Sequence, residues 1–93
     1  MNNIAFSLVK KLKKRKLKVS FAESCTGGII SSMITSISGS SEVFNFSIIT
    51  YSNKSKIELL NVPKKILKKH GAVSKEVCLS MLKNLSKINK KNI

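Results

Sequence analysis

The stretch FAESCTGGII, residues 21–30, gathers two hydroxyls, a carboxylate, a thiol and two glycines. Ser24 is the group there that could attack an acyl carbon, provided a base takes its proton. Thr26, Gly27 and Gly28 follow it, and glycine lets a ligand come close to the backbone. If these residues form the first turn of a helix, free N–H groups and the positive end of the helix dipole face whatever sits above the turn. Ser24 then stands beside those donors as a nucleophile stands beside an oxyanion hole, with the N–H groups of Cys25, Thr26 and Gly27 as the donors. On the same residues, Ser24 can equally be a helix N-cap and the glycines a packing device.

A base for Ser24 has to come from elsewhere in the chain. Tyr51 ends the run FSIITY, and Lys56 follows it by five residues. Lysine serves as a base where its surroundings favour the neutral amine, and tyrosine can relay a proton or donate one to a leaving group. Against this stands the reading of Lys56 as one more solvated lysine and of Tyr51 as a rim aromatic. The one histidine, His70, precedes Gly71 and reads as a helix-terminal residue. Cys25 and Cys78 are too few and too far apart for a disulfide framework or a zinc site, so no metal is expected.

The elements that must position these groups follow from periodicity. Ile4, Ala5, Leu8, Val9 and Leu12 line one face of a helix over 3–15. Leu17, Val19 and Phe21 alternate with polar residues and predict a strand over 17–23. Ile29, Ile30, Met33, Ile34 and Ile37 predict a helix over 26–37, closed by Gly39. Glu42–Phe44 is expected to make a short helical turn. FSIITY, residues 46–51, is rich in β-branched and aromatic residues and predicts a second strand. Ser52 or Asn53 caps a helix through Leu60, Pro63 starts a short one, and Gly71 ends it. Ser74 caps a last helix over 74–89, with Val77, Cys78, Met81, Leu82, Leu85 and Ile88 as its buried stripe. A strand–helix–strand unit implies parallel strands, so Ser24 and Tyr51 are expected on one rim. Two strands alone seldom make a stable sheet, so the chain reads as part of a larger α/β unit.

With 93 residues the chain is expected to form one domain. Its 18 Lys and Arg against four acidic residues give a net charge of +14, a field that favours anions. The lysines are spread over every segment and accompany many Asn, Ile and Ser. That is the composition an A+T-rich genome imposes, so no specific nucleic acid is expected as a partner, although a basic nucleic-acid-binding module is a third alternative. The apolar runs are too short to span a bilayer and Lys10 and Lys11 interrupt any signal-peptide pattern, so a cytoplasmic protein without membrane association is expected.

Four motifs in order, AESCTGG at 22–28, GSSEVF at 39–44, TYSN at 50–53 with Lys56 following, and HGAVSKEV at 70–77, resemble the CinA C-terminal domain family. The similarity runs from about residue 4 to about residue 85. It implies an α/β/α layered fold and, from the family's nicotinamide-nucleotide amidases, metal-free hydrolysis of the carboxamide of nicotinamide mononucleotide to nicotinate mononucleotide and ammonia. No cofactor is implied, and the partner is a small nucleotide substrate. The family's catalytic serine, tyrosine and lysine correspond to Ser24, Tyr51 and Lys56, and its substrate-holding turn to Cys25, Thr26, Gly27 and Gly28. The family domain continues past the HGAVSKEV helix with further strands and a second, TGIAGP-like glycine loop, which residues 78–93 do not resemble. The expectation is therefore a partial domain of this type over 1–93, the N-terminal half to two thirds, with a two-strand or few-strand sheet flanked by helices. An inactive remnant is the alternative to a working amidase, and an open sheet edge predicts self-association.

Overall fold

The computed structural model describes residues 2–91 and contains five helices around a two-stranded parallel sheet. In chain order these are α1 (Asn2–Arg15), β1 (Val19–Glu23), α2 (Ile29–Thr35), a 3-10 turn at Ser40–Glu42, β2 (Phe44–Ile49), α3 (Asn53–Leu60), α4 (Lys64–His70) and α5 (Lys75–Lys91).

The alternation of side chains along each strand sorts the helices into two layers. Phe21 and Phe44 point to one face, where they pack with Ala5 and Val9 of α1, Ile34 of α2 and Val43. Ala22, Phe46 and Ile48 point to the other, against Leu60, Val62, Leu67, Val77, Met81 and Leu85 from the α3–α5 side. The sheet is thus the middle layer of an α/β/α arrangement. The strands pair in parallel with Glu23 opposite Ile49, and α2 supplies the crossover. One extra residue on β2 shifts the register between Val19 and Ser20.

Caps fix the helix ends. Ser52 accepts the Ser55 N–H at 3.0 Å and starts α3, and Ser74 accepts the Val77 N–H at 3.2 Å and starts α5. Helix α1 closes with the Leu17 N–H on the Leu12 carbonyl at 3.0 Å, and Lys16 between them has φ 54°. That is the 6→1 closure glycine usually makes, here built on a lysine. Several sequence expectations are corrected. Strand β1 starts at Val19, not at 17; β2 covers Phe44–Ile49, not 46–51; and the short turn is Ser40–Glu42, not Glu42–Phe44. Helix α2 begins at Ile29, not at residue 26, because Gly27 and Gly28 have φ of 65° and 112°, outside the helical region. The stripe of α5 is narrower than its apolar pattern: Val77, Met81 and Leu85 are buried, whereas Cys78 and Leu82 are exposed, because no element packs over that flank among the described residues.

Candidate active site

The turn after β1 is held from below by Glu23. This buried carboxylate accepts the Ile30 and Ser31 N–H groups at 2.9 Å each, the Thr26 hydroxyl at 2.9 Å and the Ser31 hydroxyl. Burial by itself would raise its pKa. The hydrogen bonds from Ser31, Ile30 and Thr26 outweigh that and hold it below the ordinary 4.5. The Ser31 hydroxyl in turn meets that of Ser47, which ties the start of α2 to β2. Two N–H groups of the α2 N-terminus are therefore already neutralised by the chain's own carboxylate. Sequence reading passed over Glu23; the signal was a carboxylate six residues ahead of a helix that lacks an acidic first turn.

Ser24 lies one residue beyond β1, half-buried. Its carbonyl accepts the Gly27 N–H at 3.2 Å, which closes the turn. Gly27 is thus committed to the turn, and the amides of Cys25 and Thr26 are the ones left beside Ser24 for an incoming oxyanion. At Gly27 the positive φ alone requires glycine, since a Cβ there would meet nothing within 4 Å; at Gly28 the φ of 112° is joined by contact, because a Cβ would come within 2.9 Å of Ile49 Cδ1. Cys25 is exposed, and Thr26 is bound to Glu23.

Parallel pairing brings the end of β2 to the same rim. The Thr50 N–H donates to the Glu23 carbonyl at 2.8 Å, so Thr50 and Tyr51 run on beside Ser24. Tyr51 is two residues past β2 and 74% exposed, with its ring in solvent. Lys56, from the first turn of α3, is 1% exposed. Its Nζ donates to the Thr50 carbonyl at 2.9 Å and the Tyr51 carbonyl at 3.3 Å, which anchors the amine at the rim. It is not a solvated lysine. Among the described residues, no side-chain hydrogen bond joins Ser24, Tyr51 and Lys56, so the rim gathers the three without coupling them. His70 ends α4 and faces Glu76 at 3.5 Å, away from this rim's hydrogen bonds.

Beside Ser24 runs a groove of about 440 Å³ between β1 and α5, lined by Ala22, Ser24, Cys25, Val73, Cys78 and Leu82 among others. Tyr51 and Lys56 are not part of its wall. Among the described residues no three His, Cys, Asp or Glu side chains converge as metal ligands, and no helix is long and apolar enough to cross a membrane.

Comparison with known proteins follows the same outline. The family model of the CinA C-terminal domain matches residues 1–93. A CinA-like protein of Prochlorococcus marinus strain MIT 9215 is 59% identical over 78 residues, covering 84% of this chain and 18% of its own length. The crystal structure of the competence/damage inducible protein CihA from Agrobacterium tumefaciens superposes with a TM-score of 0.87 at 37% identity, covering 89% of this chain and 50% of that one. A competence or damage-inducible protein from Enterobacter asburiae gives a TM-score of 0.90 at 26% identity, over 96% of this chain and 56% of that one. The chain thus spans about a fifth of the curated relatives it matches and about half of the solved chains.

Proposed function

Given that this chain belongs to the CinA C-terminal domain family, we propose that it is built for amide hydrolysis on a pyridine nucleotide, the carboxamide of nicotinamide mononucleotide, with Ser24 as nucleophile. The observation that carries the reading is the shared rim. A serine beside a glycine turn lies past the end of one parallel strand, and a tyrosine and the anchored amine of a buried lysine lie past the end of the other, at the rim where α/β sheets bind ligands.

The steps are those of acyl transfer. The Ser24 oxygen bonds to the carboxamide carbon, and its proton passes to Lys56 in the amine's neutral form. The amides of Cys25 and Thr26 face the developing oxyanion. The C–N bond breaks and ammonia leaves with a proton from Lys56 or Tyr51. Water then cleaves the acyl-Ser24 ester to give nicotinate mononucleotide and free Ser24. No cofactor enters these steps.

The test is ammonia release from nicotinamide mononucleotide by the purified chain. Ser24→Ala should lower the rate by at least about a thousandfold. Lys56→Arg should fail as well, because guanidinium stays charged, while Cys25→Ser and His70→Ala should keep most of the activity. A second reading, a chain inactive by itself, is favoured by the absence of a hydrogen bond between Ser24 and any base among the described residues. No ammonia from folded wild type supports that second reading and counts against the first.

A further inference from the structure

We propose that Thr26 is a specificity-determining residue that tells a carboxamide from the carboxylate it becomes, because its hydroxyl proton is committed to Glu23 and its oxygen can only accept. The inference deepens the amidase reading and rests on it for the choice of a carboxamide.

The direction of each hydrogen bond around Glu23 follows from counting protons. Burial raises the pKa of this carboxylate, and the hydrogen bonds from Ser31, Ile30 and Thr26 lower it by more, so it is ionised at neutral pH and accepts without donating. A hydroxyl has one proton. Those of Thr26 and Ser31 therefore lie on Glu23, Thr26 at 2.9 Å. The Ser31 oxygen must then accept from Ser47. Thr26 makes no second side-chain hydrogen bond among the described residues and is exposed, so its lone pairs are open to a ligand.

Thr26 thus offers two unlike groups on the turn that carries Ser24: a backbone N–H that donates and an oxygen that only accepts. A carboxamide is the complement of that pair, with a carbonyl oxygen to accept and an N–H to donate. Its oxygen meets the Thr26 amide and its NH2 meets Oγ1. A carboxylate has the same outline and no proton, so one of its oxygens would lie lone pair against lone pair with Oγ1, with the charge of Glu23 behind it. A site that hydrogen-bonds an N–H rejects the analogue that lacks it. Thr26 is not in the wall of the groove between β1 and α5, so this contact is made over the turn at the rim. The field of the chain works the other way. At a net charge of +14 the extra negative charge of the acid is favoured, so a preference for the amide has to come from a local contact.

Calorimetric titration of the Ser24→Ala chain with nicotinamide mononucleotide and with nicotinate mononucleotide reads this preference without turnover. The amide should bind at least about tenfold tighter than the acid. Adding Thr26→Val, which keeps the shape and removes the acceptor, should lower that ratio at least about tenfold, so that the acid binds as well or better. Adding Thr26→Ser should retain the preference. A merely structural role for the hydroxyl would weaken both ligands alike and leave the ratio unchanged. That result, equal binding of the two nucleotides by the Ser24→Ala chain, or no saturable binding of either, overturns the proposal. The expected ratios without ammonia release from wild type would remove the amidase reading alone and leave Thr26 as the residue that recognises a carboxamide.

Discussion

At the scale of single residues, the carboxylate of Glu23 sets the shape of the turn that carries Ser24. Removing it as Glu23→Ala leaves the Ile30 and Ser31 amides and the Thr26 hydroxyl without their acceptor. Ser31 is half-buried and Thr26 and Ile30 are exposed, so water replaces part of what is lost, and urea denaturation should show a destabilisation of about 1 kcal/mol. The pH dependence has a definite sign. The folded pKa of Glu23 lies below the ordinary 4.5, so the folded state binds fewer protons than the unfolded one in that range. Its contribution is complete above about pH 4.5 and is lost as pH falls through the folded value. Denaturation midpoints of wild type should therefore fall on acidification below pH 4.5, and Glu23→Gln should flatten that slope. Lys56 is the second residue whose role only the fold reveals. Its stem is buried and its amine holds two carbonyls. Lys56→Ala should cost about 2–4 kcal/mol in the same assay, comparable to truncating a buried aliphatic chain. In the sequence it is one lysine among many; the choice of Lys56 came from its distance from Tyr51, and nothing in local pattern announced its burial.

At the scale of elements, the helix ends give a sharper contrast. Asn61 and Lys16 both close helices with φ near 50°, at 50° and 54°. Asparagine tolerates that conformation, and a lysine is strained there by about 1 kcal/mol. Lys16→Gly should therefore stabilise the chain by about 0.5–1 kcal/mol, read as a higher thermal midpoint, while Asn61→Gly should change it little. The elements themselves were legible in the sequence wherever period and punctuation agreed: the existence and order of both strands, the Ser52 and Ser74 caps, and the short helix that opens at Pro63 and closes at Gly71. The start of α2 was not. The run Thr26–Gly28 looks like a helix opening, yet two left-handed glycines delay the helix to Ile29. What makes the delay stable is Glu23 reaching forward to the late-starting helix, a contact that no periodicity shows. Likewise the apolar stripe of α5 includes Cys78 and Leu82, which are exposed because no element packs over that flank among the described residues.

For the whole molecule, charge acts against folding. A net charge of +14 on a chain of this size opposes compaction. Raising sodium chloride from about 10 to about 300 mM shortens the screening length severalfold, so the thermal midpoint should rise over that range. A midpoint that falls or stays flat would mean the lysines are far enough apart not to oppose folding. The rim that gathers Ser24, Tyr51 and Lys56 was legible because a strand–helix–strand unit can place the ends of its strands in only one way. The missing coupling between Ser24 and Lys56 was not, because it depends on which carbonyls the amine finds once α3 is docked.

The acyl-serine route is tested most directly by interception of the acyl group. With nicotinamide mononucleotide and hydroxylamine present, an acyl-Ser24 ester partitions between water and hydroxylamine, and the second route yields the hydroxamate of nicotinate mononucleotide. Mass spectrometry of the products should show that hydroxamate with wild type, rising with hydroxylamine concentration, and none with Ser24→Ala. Ammonia without hydroxamate, hydroxamate that survives Ser24→Ala, or neither product from folded wild type would contradict Ser24 as the acyl-carrying nucleophile of this chain.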